Sequence, residues 1–522
     1  MTTCYPDSLE TLPDEIILNI FSHLTTKDLG RCAQVSKNFY TITYDKTLWT
    51  KILITSCMST QDFVPPIGYT MPQRLLVQAL SRGVRYLGIS HLCFISTSQL
   101  NLPPKNQVEY LDLSGSYMDE NFFRQLMLSC HNLKKLSVAH PYGAWKSKDL
   151  LKGLLQNSTS LNVLDLSKCY KLTYRDIKSI LSSCRNLTEV NFSFNSWTFR
   201  VPNLSVIFSG LTPNIEKLSL SAVAISISAI KTLFTQCYKL TQLDLTRAHF
   251  IDEPEDTNFK FPKEIQLESL FMSGFDIHYT HLEMLIPSCE KSLQVLDISR
   301  CKNVTPQAIQ LIVSRCLRLI SVDFCGLKHA GFICNNLTPN IEKVSLSATD
   351  ISNEDIKMLV RRCNKIKELD ISNTKIEITE VMDEIILYLS STLEKLCLPT
   401  SYFDSTFSPT FSQFDCCPLF KLGSMPKLKC IWNDHFLCQN HCKYIEHCKP
   451  TIAPNPNIAK SMSVEETIWE IPCEGIKLSQ LQENYLKENK NDASSMKNAR
   501  EMDFISFSSD CTFLAAMRKK YL

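Results

Sequence analysis

Apolar positions in this chain recur in a frame that changes period part-way through each unit. Residues 293–316, LQVLDISRCKNVTPQAIQLIVSRC, carry it in full. Leu293, Leu296 and Ile298 stand in an L-x-x-L-x-L spacing, and the last two share one face of a short strand. Residues 299–304 are polar and turn-like. Ala308, Ile309, Ile312 and Val313 then recur at helical spacing, and Cys316 ends the helix three residues before the next frame at Leu319. Each element is apolar on one side only. Neither can bury itself alone, so the unit must stack on copies of itself.

The copies are present. Frames begin at Val84, Val108, Leu133, Leu161, Leu187, Ile215, Leu240, Leu267, Leu293, Leu319, Ile341, Ile366 and Leu393, with a degenerate one at Leu428. The step is about 26 residues, within the range of repeats that contribute one strand and one helix per turn. The sequence resembles the cysteine-containing class of leucine-rich repeats. Cys169 and Cys301 follow the strand's last apolar position, and Cys130, Cys184, Cys237, Cys316 and Cys363 precede the next strand. The resemblance implies an α/β solenoid, a horseshoe with a parallel inner sheet and outer helices, over residues 84–400. A longer period lies on top: residues 211–222 (LTPNIEKLSLSA) match residues 337–348 (LTPNIEKVSLSA) at all but one position. Five repeats were copied in tandem, with about six residues lost between Asp323 and Ile341.

Residues 6–54 are different, with helical spacing throughout. Pro13, Asp14 and Glu15 suit a helix start, Ile16, Ile17, Ile20 and Leu24 follow as an apolar stripe, and two more short helices precede Leu48-Trp49. Three short helices can hardly bury all these side chains among themselves, and the surplus predicts a partner. This segment resembles an F-box, through Leu12-Pro13, Glu15-Ile16, Ile20-Phe21, Leu24, Asp28-Leu29, Val35-Ser36 and Leu48-Trp49. The resemblance implies an all-α module that docks a Skp-family adaptor and, through it, the cullin and RING subunits of a ubiquitin ligase. It places Leu12, Pro13, Ile16, Ile20, Leu24, Leu29 and Val35 against the adaptor, with Trp49 near the joint. The same residues could instead form the core of a capping subdomain. Residues 55–83, with Pro65-Pro66 and Pro72, read as a connector.

Strand alternation directs positions three, five and seven of each frame away from the core. Position seven is mostly serine or threonine, expected to hydrogen-bond the turn backbone. Position five carries Asp165, Asp244, Asp297, Asp323 and Asp370, either a solvated polar face or an acidic stripe for a basic partner; Asp297 and Asp323 should repel unless solvated or hydrogen-bonded. Position three varies most. Tyr110, Glu189, Lys217 and Lys343 there, with Phe271 at position five, are candidates for partner specificity.

Composition changes the picture little. Lys+Arg 55 against Asp+Glu 53 gives net charge +2 over 522 residues, so no bulk field favours nucleic acid or an anionic membrane. No apolar run reaches the length of a bilayer span, and residues 1–10 do not read as a signal peptide. The 23 cysteines fall mostly at repeat-phased positions, where they act as small buried hydrophobes, so reduced thiols in cytosol or nucleus are expected. Residues 401–450 read as an aromatic and cysteine-rich cap, and residues 451–522 as a partly disordered tail. Cys438, His441, His447 and Cys448 lie within zinc-ligand reach but match no named spacing. No phosphate loop, nucleophile elbow or metalloprotease spacing occurs, and no cofactor is expected. The expected function is a non-catalytic receptor that brings a protein substrate to a ubiquitin ligase for degradation. The alternative is a repeat scaffold with no part in degradation.

Overall fold

The shared frame dictates a strand, a tight turn and a helix in every unit, and a computed structural model of the chain has that order. It describes chiefly residues 12–55, 73–90, 106–141, 147–195, 204–250, 265–399 and 425–432. The expected cap and tail fall almost wholly outside the described residues, as do Cys438, His441, His447 and Cys448. Two units divide near residues 203–216.

The first unit opens with α1 (Asp14–Phe21), α2 (Thr26–Cys32) and α3 (Lys37–Thr43), then a 3-10 turn at Lys46–Trp49. Its parallel sheet follows: β1 (Lys51–Thr55), β2 (Tyr86–Ser90), β3 (Tyr110–Asp112), β4 (Lys135–Ser137), β5 (Val163–Asp165) and β6 (Glu189–Asn191). The sheet thus starts earlier than the frame count suggested. The stretch expected as connector carries a helix, Gln73–Ser81, between β1 and β2. Trp49, Ile52 and Ile54 in fact satisfy the strand frame, with Trp in its first position.

In the second unit β7 (Lys217–Ser219), β8 (Gln242–Asp244), β9 (Ser269–Phe271), β10 (Val295–Asp297) and β11 (Ser321–Asp323) lie side by side and parallel. They continue into β12 (Lys343–Ser345), β13 (Glu368–Asp370), β14 (Lys395–Cys397) and β15 (Cys430–Trp432). The last strand is the degenerate frame at Leu428.

The frame's apolar positions are the core. Leu293, Leu296, Ile298, Ala308, Ile309, Ile312 and Val313 are all buried. Helices after Asp119, Thr173, Ser226, Thr305 and Ser352 start on side-chain caps, with reciprocal Thr173–Asp176 and Ser352–Asp355 boxes. They stop at cysteines: the N–H groups of Cys184, Cys237, Cys316 and Cys363 donate to Ile180, Leu233, Ile312 and Leu359 carbonyls, each at 2.8 Å. The shortened repeat is visible as a seven-residue helix, Ala330–Asn336, whose N-terminus has no cap of its own. Asp350 of the following repeat supplies one, accepting the Ala330 N–H at 3.2 Å and the His329 N–H at 3.4 Å.

Turn geometry is as regular as the core. The residue after position seven is left-handed in repeat after repeat, at Gly115, His140, Lys168, Phe194, Ala222, Arg247, Gly274, Arg300, Gly326, Ala348 and Asn373. Most of these N–H groups reach the position-seven carbonyl of the next repeat, as Arg300 does to Cys325 at 2.7 Å. That bond offsets the cost of a left-handed non-glycine residue, about 1–2 kcal/mol.

Candidate functional site

α1 has two apolar stripes because Ile16 and Ile20 are offset by one residue from Ile17 and Phe21. Ile17 and Phe21 turn inward and pack with Leu29, Phe39, Ile42 and Leu48; the Phe21 and Phe39 rings meet edge to face at 5.1 Å. Ile16 and Ile20 stay 47% and 39% exposed, Val35 67%, and Pro13 is exposed beside them. Leu12 and Leu24 are half-buried at the margin of the same core. Leu29 departs from the expectation: at 1% exposure it belongs to the domain's own core and cannot face a partner. Its position in α2, turned toward α1 and α3, is the reason. Trp49 is half-buried and donates its indole N–H to the Thr43 carbonyl at 2.6 Å, so it fixes the end of α3 to the turn before β1. Sequence reasoning missed Tyr40 in α3 and Tyr44 just past its end, both exposed with ring centroids 4.5 Å apart. Their i, i+4 spacing was the available signal. Tyr40 also lines an open groove of about 530 Å³ with Ala33, Gln34, Ser36, Lys37 and Thr41.

On the first unit's sheet, position three reads Lys51, Tyr86, Tyr110, Lys135, Val163, Glu189 from β1 to β6, in direct register. Tyr86 and Tyr110 stack, centroids 5.8 Å apart and planes 21° from parallel, and Lys51 Nζ lies 5.2 Å from the Tyr86 centroid. Glu189 is half-buried further along.

Position five does not form an acidic stripe. Asp165, Asp244, Asp297, Asp323 and Asp370 each accept, through Oδ1, the backbone N–H two residues on, at 2.9–3.0 Å. Asp112 and Asn191 do the same. These side chains close the turn that leads into the left-handed residue. Asp244, Asp297, Asp323 and Asp370 are buried, so as a group they hold the strand exit rather than a partner. The position-seven hydroxyls also differ from expectation. They bond to these carboxylates and to one another, as Ser299 does to Asp297 at 2.7 Å and Ser273 at 2.8 Å, and Ser372 does to Asp370 at 2.7 Å and Ser347 at 2.8 Å. Burial pushes the Asp165 and Asp370 carboxyls up. Asp323 is held well above the usual range by burial and by the charge of Asp297.

Elsewhere on the second unit's face, Lys343 and Lys395 each reach Glu368 Oε1 at 3.1 Å. Lys343 is therefore committed within the fold. Lys217 and Phe271 are half-buried on the same face. Buried thiols offer no nucleophile: burial pushes Cys184 and Cys363 up to about 11 and Cys237 and Cys316 up to about 12.

Comparison with known proteins separates the same two parts. Residues 9–55 match the F-box-like family and residues 74–285 the SKP2 LRR domain, and the chain carries both. A 41-residue stretch is 51% identical to human F-box/WD repeat-containing protein 8, covering 8% of this chain and 7% of that protein. Protein NLRC5 of Ictalurus punctatus is 23% identical over 253 residues, 46% of this chain and 14% of the other. The chain therefore spans only a small part of the length of these curated relatives. Among solved structures, a Listeria monocytogenes internalin aligns over 71% of this chain and 94% of its own, at 16% identity and TM-score 0.39.

Proposed function

We propose that this chain, an F-box-like domain joined to SKP2-type leucine-rich repeats, is the substrate-recognition subunit of an SCF-type cullin-RING ubiquitin ligase. The observation that carries the reading is that Pro13, Ile16, Ile20 and Val35 stay exposed on a helical domain whose core is already complete without them. Aliphatic side chains of this size leave water when a partner's apolar surface covers them, each contributing roughly 1–3 kcal/mol. The partner is a Skp-family adaptor, which links the chain to cullin and RING subunits. The repeats hold a protein substrate, and the chain itself performs no chemistry; its part is to raise the substrate's effective concentration near the ubiquitin-loaded enzyme. Repeat cysteines kept as buried thiols fit a reducing compartment, cytosol or nucleus.

The test is co-expression with a Skp-type adaptor. The parent chain co-purifies with it, and Ile16→Glu with Ile20→Glu abolishes co-purification while the thermal melt stays unchanged. Retained co-purification in that double variant refutes the reading. In cells, proteins that accumulate on the full chain carrying Ile16→Glu with Ile20→Glu are substrates; accumulation without any change in their turnover favours a scaffold outside degradation.

A further inference from the structure

We infer that the sheet face of β1 to β4 binds an extended acidic segment of the delivered protein, with two carboxylates bracketing an aromatic or aliphatic residue. This names a substrate class for the receptor reading and rests on it. Four side chains in one register row make the surface: Lys51, Tyr86, Tyr110 and Lys135. The two rings stack at 5.8 Å, with Tyr110 37% exposed. Lys51 lies beyond the outer ring, 5.2 Å from its centroid, and Lys135 stands next to Tyr110.

Charge decides the partner. Lys343 and Lys395 on the second unit's sheet end on Glu368, and Lys134, one residue from Lys135, ends on Glu109. Lys51 and Lys135 end on no carboxylate among the described residues. On β3 between them, Asp112 has its Oδ1 on the Ser114 N–H at 2.9 Å and hydroxyl at 2.5 Å. Two cations are thus left flanking an aromatic step. Tyrosine supplies a rigid contact face with a polar edge, the residue type that anchors protein interfaces. Three inter-strand steps separate the lysines, about 14 Å at ~4.8 Å per step, which an extended chain spans in roughly four residues at ~3.3 Å each. The expected segment is therefore acidic at i and i+4, with the ring-contacting residue between. Charge complementarity of this kind sets partner choice and association rate.

The probe is a fluorescein-labelled twelve-residue peptide with Glu at i and i+4 and Phe at i+2, titrated against the full chain in complex with the adaptor and read by anisotropy. Controls carry Lys for both Glu, or Ser for Phe, and a poly-dT oligonucleotide serves as a generic polyanion. Saturable binding of the Glu–Phe–Glu peptide is expected, weaker with raised salt. Lys51→Glu with Lys135→Glu, and separately Tyr110→Ala, should each weaken it by about tenfold or more, the loss of one interface anchor. Lys51→Gln with Lys135→Gln should give the same direction without introduced repulsion. The proposal is overturned by equal binding of the Lys peptide or of poly-dT, by no binding up to about 1 mM, or by variants that bind as the parent does. Adaptor co-purification is scored in parallel. Peptide binding without the adaptor overturns the receptor reading alone, whereas adaptor binding without the peptide overturns this surface alone.

Discussion

Asp297 and Asp323 face each other in direct register on adjacent parallel strands, 2% and 3% exposed, each with Oδ1 bound to its own turn. The tandem duplication supplies a natural comparison for this pair. The same positions one copy earlier are Asp165 and Asn191, also in register, and there Asn191 Oδ1 accepts the Ser193 N–H at 3.0 Å. An amide thus performs the turn function without the charge. Asp323→Asn should keep the bond to Cys325 and remove a buried like-charge pair, stabilising the fold at neutral pH by about 1 kcal/mol. An acid held above its ordinary value when folded keeps its proton longer than in the unfolded chain. Parent stability therefore falls as pH rises from the usual Asp range through the raised value, then levels off. Urea titrations from pH 4 to 8 should show this decline in the parent and a shallower one in Asp323→Asn. A variant less stable than its parent at pH 7 would contradict the account.

The F-box-like domain separates two kinds of aliphatic residue that spacing alone does not. Leu29→Ala removes a fully buried side chain and should cost about 2–5 kcal/mol, visible as loss of helical signal from residues 12–49 at lower temperature. Ile16→Ala and Ile20→Ala should shift the melt little and weaken adaptor binding instead. Equal melting shifts for Leu29→Ala and Ile16→Ala would contradict the assignment of Ile16 to a docking strip.

The short helix Ala330–Asn336 borrows its cap, so its stability depends on the next repeat. Asp350→Ala should cost about 1 kcal/mol, as loss of a capping residue usually does, and should raise amide exchange first at His329 and Ala330. Ser352→Ala should cost a similar amount but act on the helix Asn353–Arg362, where the capping box lies. Exchange unchanged at Ala330 in Asp350→Ala would remove the borrowed cap.

Frame positions one, four and six were legible from the chain because burial leaves a strict apolar record; Leu293, Leu296 and Ile298 are buried as their spacing demands. The first strand was not, since Trp49 fills the frame's first position and was assigned to the helices before it. The role of position five was not legible either. An aspartate on an outward face looks the same in sequence whether it meets solvent or folds back on its own turn. The paired spacing, Asp at five and a hydroxyl at seven, held the clue. The left-handed residue at position eight leaves only a broken record: Gly115, Gly274, Gly326 and Asn373 suit it, but His140, Lys168, Phe194 and Arg247 share no chemistry, and there the hydrogen bonds around them fix the backbone. Among docking residues, Ile16 and Ile20 could be told from Ile17 and Phe21 only by which face the other two helices cover.

Lys343 shows how a sheet-face lysine can mislead a binding assay. Its ammonium and that of Lys395 converge on Glu368 Oε1, while Glu368 Oε2 is buried with no hydrogen-bond partner. Glu368→Gln removes the carboxylate that the two lysines share and should destabilise the second unit. Lys395 and Lys343 keep some solvent, so the cost should be about 1–2 kcal/mol rather than the ~3–5 kcal/mol of a fully buried broken pair. Lys343→Glu should do at least as much, because it sets two carboxylates side by side. A Lys343→Glu chain that loses a partner has thus first lost part of its own sheet. Lys343→Glu combined with Glu368→Lys and Lys395→Glu restores opposite charges across all three register positions. If the swap recovers the urea midpoint and also partner binding, Lys343 acts through the fold; recovery of the midpoint alone would return Lys343 to the binding surface.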